Sequence, residues 1–255
     1  AKHITNNNVD SQGNVGESII TTYADAPAIQ GTTGAITLAG DPATRQTIKT
    51  ASFDIRGNAL EQTITKDAYT GGAYVTAEVQ HIVTSGHDIH DRAAASTITN
   101  YKPDGATAID TQNISYLEYD RYGNALNQAI LTTASDGKET FKTITNTYDP
   151  GNKKARMKGN ARTTEVMKYS GSSAVEGNLI EKTVTTTYIY DARGNTVDQT
   201  TVTYVSDSAS VLRLQKKTTI ENINIDNRGD AGTQYITSSE TDNTGAPDSL
   251  EVVSY

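Results

Sequence analysis

Apolar and polar positions alternate with a period of two along most of this chain. The stretch Asn58-Ala-Leu60-Glu-Gln62-Thr-Ile64 recurs as Asn124-Ala-Leu126-Asn-Gln128-Ala-Ile130 and as Asn195-Thr-Val197-Asp-Gln199-Thr-Thr201. A fourth version reads Asp230-Ala-Gly232-Thr-Gln234-Tyr-Ile236. Residues two apart share one face of a strand, so Leu or Val, Gln and Ile fall on a common face. Gln62, Gln128, Gln199 and Gln234 then form a candidate ladder of amides that helps to set register. No segment has the 3.6-residue spacing of a convincing helix. The pattern predicts strands of ten or so residues.

The strands are punctuated by a repeated corner: an aromatic or apolar residue, Asp, two variable residues, Gly, then Asn or Asp. It occurs at Asp10 with Gly13, Asp54 with Gly57, Asp120 with Gly123, Asp191 with Gly194, and Asp226 with Gly229. Tyr148-Asp149-Pro-Gly151-Asn152 reads as a shortened copy, and Asp88-Ile-His-Asp91 as a degraded copy without the glycine. The seven aspartates lie 29 to 44 residues apart, with a mean of 36. Asp-x-x-Gly fits a type I turn whose Asp accepts from backbone N–H groups two residues on. The Gly, in the left-handed conformation, closes the hairpin through a bulge. Looser turns rich in Gly, Asp and Ser fall midway between the corners, at residues 70–72, 102–105, 135–137, 170–173, 206–208 and 242–245. The expected fold is therefore all-β: a tandem-repeat antiparallel β-hairpin meander, an extended or spiralled sheet of roughly fourteen strands. We expect a single array over residues 1–255, with about seven repeats of 36 residues and an irregular loop or insertion near 24–45.

The segment Tyr188-Ile-Tyr190-Asp191-Ala-Arg-Gly194-Asn195 resembles the Tyr-Asp (YD, or Rhs) repeats of large secreted and cell-surface bacterial proteins. This chain carries Asn or Asp after the motif Gly, where that family usually carries Arg, and its period is longer. The resemblance implies long β-hairpins that spiral into sheets or shells, and an extracellular or cell-surface setting.

Composition narrows the function. Hydrophobic residues make up 35%, a figure that includes 14 Tyr, and there are only two Phe, two Met and no Trp. That is too little for the deep core of a compact enzyme of 255 residues. The net charge of −8 argues against nucleic acid as a partner. The absence of cysteine excludes disulfides, Cys-ligated zinc and thiol chemistry. No apolar run is long enough for a membrane helix, and the first residues carry no signal-peptide pattern.

Candidate chemistry is sparse. His81, His87, His90 and Asp91 form the one cluster of metal-ligating types, set on a turn. The corner Asp and Asn suggest calcium, but each corner offers far fewer than the six to eight oxygens that calcium takes. Arg228-Gly229-Asp230 is the corner motif with Asp in the last place. Tyr119, Tyr148 and Tyr190 precede corners, where a ring covers the turn. No nucleophile elbow, phosphate loop or dinucleotide fingerprint occurs, and no cofactor is implied. Leu250-Glu-Val-Val-Ser-Tyr255 matches the strand Ser115-Tyr-Leu-Glu-Tyr119 that runs into a corner, and neither end of the chain reads as a cap. The expectation is a non-enzymatic structural module of an extracellular fibre or giant surface protein. Its partners are copies of itself, head to tail, or neighbouring repeats of a longer chain, met through strand edges. An adhesin or glycan-binding stalk is the alternative.

Overall fold

Thr, Ile, Val and Tyr suit a pleated, half-buried surface, and the runs between corners form strands throughout. The computed structural model describes residues 1–23, 28–29, 36–37, 40–207, 211–241 and 247–254. In chain order the strands are β1 (Lys2–Val9), β2 (Val15–Tyr23), β3 (Ala28–Ile29), β4 (Ile36–Thr37), β5 (Pro42–Phe53), β6 (Ala59–Thr70), β7 (Ala73–Ser85), β8 (Ala95–Tyr101) and β9 (Ala108–Tyr119). They continue as β10 (Ala125–Ala134), β11 (Glu139–Thr147), β12 (Thr163–Ser170), β13 (Leu179–Tyr190), β14 (Thr196–Ser206), β15 (Leu212–Ile225), β16 (Ala231–Thr241) and β17 (Pro247–Ser254). A short α-helix, α1 (Lys153–Met157), stands between β11 and β12, and a 3₁₀ turn (Glu176–Asn178) between β12 and β13. The fold is an antiparallel meander in which the long strands follow chain order among the described residues. The expectation of about fourteen strands is met.

The chain divides into two compact units. The first comprises residues 1–114 with 133–137, the second residues 115–132 with 138–255. In the first, β1 pairs with β2, β2 with β5, and β5 to β8 pair in succession, all antiparallel. In the second, β11 to β17 pair in succession in the same way. Within each unit, motif corners therefore lie at one end of the strands and looser turns at the other. The turn at Gly71-Gly72 joins Thr70 to its partner Ala73, with both glycines at positive φ, as a two-residue hairpin requires.

The expected loop over 24–45 is shorter than the sequence suggested. Pro42 through Arg45 already belong to β5, whose first residue is the proline, a position where the missing N–H breaks no ladder. Ala28–Ile29 pairs with Ile36–Thr37 as a two-residue ladder. Residues 24–27, 30–35 and 38–39, the loose turn at 242–245 and Tyr255 lie outside the described residues.

There is almost no sealed interior. Among the described residues, Ala155 and Tyr169 are the buried apolar side chains, and most strand positions are half-buried. Cohesion comes from cross-strand pairs. Ile48 faces Ile64, Ile82 faces Ile98, Val184 faces Val202 and Ile220 faces Ile236. In the second unit six threonines stand abreast across six strands: Thr147, Thr163, Thr186, Thr200, Thr219 and Thr237. The neighbouring row runs Asn146, Thr164, Thr185, Thr201, Thr218 and Ser238. There Thr164 Oγ1 donates to Asn146 Oδ1 at 2.8 Å, and the Thr185 and Thr201 hydroxyls meet at 2.9 Å. Thr185→Val alone strands the Thr201 hydroxyl and should cost about 1 kcal/mol, whereas Thr185→Val with Thr201→Val should be close to neutral. Urea unfolding of the single and double variants reads this directly, and a double variant that loses more than the single overturns it.

The amide ladder is present in part. Gln62 Nε2 donates to Thr50 Oγ1 at 3.1 Å and Gln234 Nε2 to Asn222 Oδ1 at 2.8 Å, each to the residue directly opposite on the preceding strand.

Candidate functional site

The corners are built alike. At Asp10, Asp54, Asp120 and Asp191, the Asp N–H donates to the carbonyl four residues on, and the third residue's N–H returns to the Asp carbonyl. The Asp Oδ1 accepts from the N–H groups at the second and fourth following positions, at 2.8–3.0 Å. Its Oδ2 accepts from the Asn side chain at that fourth position: Asn14, Asn58, Asn124 or Asn195. Both carboxylate oxygens are thus engaged by the turn itself. At Asp226 the fourth residue is Asp230, and Arg228 Nε takes the place of the amide at 3.2 Å. Arg228 also pairs with Asp230 at 3.1 Å, so that tripeptide closes on itself.

Two sequence readings need correction. The corner at Asp88 is not degraded: Asp88 Oδ1 accepts from His90 N and Arg92 N, and Arg92 Nε donates to Oδ2 at 2.7 Å. Asp91 stands where the glycine would be and adopts φ 61°. Asp is among the few residues whose short polar side chain tolerates that conformation. At Asp149 the turn is not a shortened corner. Gly151 falls at the second position, where its N–H donates to Asp149 Oδ1 at 2.8 Å. Asn152 then caps α1 by accepting from Ala155 N at 3.0 Å. The corner resumes after the helix at Gly159-Asn160, with Gly159 at φ 75°. The missed signal is Gly159-Asn160-Ala161, which repeats Gly57-Asn58-Ala59 and Gly123-Asn124-Ala125.

The proposed metal cluster does not assemble. His81 lies on β7 with its Nε2 2.8 Å from Glu61 Oε1 on β6. His87 lies against the neighbouring corner, 3.8 Å from Asp54 Oδ2. His90 sits within the Asp88 turn, and Asp91 pairs with Arg56 at 3.2 Å. His81 is held on the strand ladder, while His87 and Asp91 both meet the Asp54 corner, whose Arg56 and Asn58 engage Asp91. No group of three or more potential ligands exists among the described residues.

What the corners do form is a stack, each locked to the next. In the first unit, Asn14 Oδ1 fills the space over Gly57, 2.5 Å from where a Cβ would sit. Asn58 Nδ2 donates to Asp91 Oδ1 at 2.8 Å. In the second unit, Asn124 Nδ2 donates to Arg156 O at 2.8 Å, and Arg156 reaches back to Asp120 at 3.1 Å. Asn160 Nδ2 donates to Gly194 O at 2.7 Å, and Lys158 Nζ donates to Asn195 Oδ1 at 2.5 Å. Arg193 then reaches Ile225 O and Asn227 Oδ1 in the last corner. Tyr190, before its corner, donates to Ala161 O at 2.9 Å and covers the neighbouring turn. Tyr119 stacks on Tyr116 with ring centroids 6.0 Å apart.

These hydrogen bonds set the acidity of the corners. Donation from Asn58 brings the Asp54 carboxyl down to about 2. At Asp191 burial pushes upward, but the Asn195 N–H and amide outweigh it and hold the carboxyl at about 2. At Asp88 the Arg92 side chain is the main cause of a larger fall. A folded value below the unfolded one means that ionisation favours the folded state. That contribution is complete above the ordinary 3.8 and is lost as pH falls through about 2. The thermal midpoint followed by circular dichroism should be level from neutral pH to about 4 and fall between about 4 and 2. A midpoint unchanged at the acid end would contradict the corner hydrogen bonds.

No protein-family model matches the chain, and no curated protein matches it. No helix among the described residues is long and apolar enough to cross a membrane.

Proposed function

We propose that the chain is a structural repeat module of an extracellular bacterial fibre or giant cell-surface protein, associating through β-strand edges and performing no turnover. The observation that carries this reading is the stack of corners. Each unit has little sealed interior, yet its hairpins are bonded side to side along their whole length and locked again at their ends. Such a structure extends by adding hairpins, since among the described residues each long strand pairs with the next. The corner carboxylates of Asp54 and Asp191, whose acidity is strengthened, are committed to turn donors rather than turned outward to a substrate. The resemblance to Tyr-Asp repeats points in the same direction.

Negative-stain electron microscopy of the purified chain over a concentration series tests the reading. Fibres or strings with a regular axial step are expected, growing with concentration. Monodisperse isolated particles at every concentration would refute self-association.

A second reading, a glycan-binding stalk, has one observation in its favour. Tyr188, Tyr204 and Lys182 share a shallow depression on β13 and β14 with Thr186 and Thr200. Aromatic rings beside hydroxyls and a cation suit a sugar face. Binding to a glycan array that is lost in Tyr188→Ala would favour it.

A further inference from the structure

The locking of successive corners has a direction. The Asx at the fourth position of one corner enters a notch over the left-handed residue of the next. Asn14 Oδ1 fills the notch over Gly57, Asn195 Oδ1 lies 3.2 Å from a Cβ position at Gly229, and Asn124 Oδ1 lies 3.4 Å from that at Gly159. Asn58 meets Asp91 in the same relation. Over Gly13, at φ 89°, no atom lies within 4 Å of the equivalent position. The strand leading into that corner, β1, pairs with β2 alone among the described residues. Its residues are almost all exposed, including Ile4 and Val9. The strands that occupy the same place before later corners, β5 and β7, are each covered on that side by an antiparallel strand leaving a corner.

We infer that the outer edge of β1 and the open notch over Gly13 form a docking site for a hairpin of the same Asp-x-x-Gly-Asn class. The occupant's strand after the turn lies antiparallel to β1, and its Asn enters the Gly13 notch as Asn14 enters that of Gly57. Main-chain pairing supplies affinity, as in other additions of a strand to a sheet edge. The notch supplies register and polarity, because a one-residue slip moves the Asn out of reach and turns every side chain to the wrong face. Only a glycine or a short Asx tolerates the left-handed turn, and only a residue without a bulky side chain admits the incoming amide. This inference deepens the fibre reading by naming the surface and the kind of partner.

The test uses the full chain and a fluorescein-labelled peptide of residues 42–70, the β5–β6 hairpin with its Asp54 corner, followed by fluorescence polarisation. Saturable binding is expected. Asn58→Ala in the peptide, which leaves the chain untouched, should weaken it at least about tenfold, and Gly13→Lys in the chain should do the same. Circular dichroism confirms that the Gly13→Lys chain is folded. No saturable binding up to about 1 mM, or binding indifferent to both substitutions, overturns the inference. Fibres in the microscope from a chain that fails to bind the peptide would leave self-association standing and this site refuted. Peptide binding by a chain that never forms fibres would do the reverse.

Discussion

Gly194→Ala should be among the most damaging single substitutions in the chain, costing roughly 2–5 kcal/mol. Two effects add. Gly194 has φ 84°, where an L side chain crowds its own backbone, at a cost of about 1–2 kcal/mol. The new Cβ would also lie 2.5 Å from Ala155 N, 2.7 Å from Lys154 C and 3.0 Å from Ala155 Cα. Those atoms are the backbone of α1, so no side chain can swing aside. Overpacking of this kind costs a further ~1–3 kcal/mol. Gly137→Ala provides the control, because Gly137 has nearly the same φ of 81° and nothing within 4 Å. It should cost only the backbone share, about 1–2 kcal/mol. Urea denaturation of the two variants separates the terms. Equal losses would mean that the contact between α1 and the Asp191 corner contributes nothing to stability.

The second large effect is expected at Asp120. Its side chain is 6% exposed and accepts from Tyr122 N, Asn124 N, Asn124 Nδ2 and Arg156 Nη2. Burial opposes its ionisation, but the N–H groups of Asn124 and Tyr122, with Asn124 and Arg156, keep the carboxyl below its ordinary value. Arg156 is itself only 19% exposed, packs on the Tyr122 ring, and has no partner for its Nε. Asp120→Ala would therefore leave a mostly buried guanidinium without its carboxylate, and two turn N–H groups without an acceptor. A loss of about 3–4 kcal/mol is expected. Asp120→Asn keeps an acceptor oxygen for the turn and loses only the charge, so about half that loss is expected. Asp120→Ala with Arg156→Leu should recover part of the stability, because the stranded charge is gone. A double variant no better than Asp120→Ala would show that the turn, and not the ion pair, carries the cost.

The repeat was legible because it is written in local chemistry. Asp-x-x-Gly-Asn specifies its own turn through the Asp side chain and the left-handed glycine, whatever surrounds it. Alternation then gives the strands, and short connections between them leave an antiparallel meander as the simplest arrangement. Two departures were also written locally but were disguised. Asp91 replaces a glycine without altering the turn, and the helical insertion separates Asp149 from its Gly159-Asn160. A further local signal lies at the first and last corners, where Asn8 and Asn224 adopt φ 54° and 57°, each opposite a glycine, Gly16 and Gly232.

What the sequence determined by itself was therefore the unit of structure, the hairpin with its corner, since every contact that defines it lies within a few residues. The tertiary structure alone decided which groups meet between hairpins. Lys158 reaches Asn195 across 37 residues and Asn58 reaches Asp91 across 33. The same long-range geometry drew His81 to Glu61 and His87 to Asp54 despite their closeness along the chain. Side-chain direction alternates along a strand, and strand pairing brings together residues that the chain keeps far apart. Proximity in sequence therefore foretold the corners well, and their partners hardly at all.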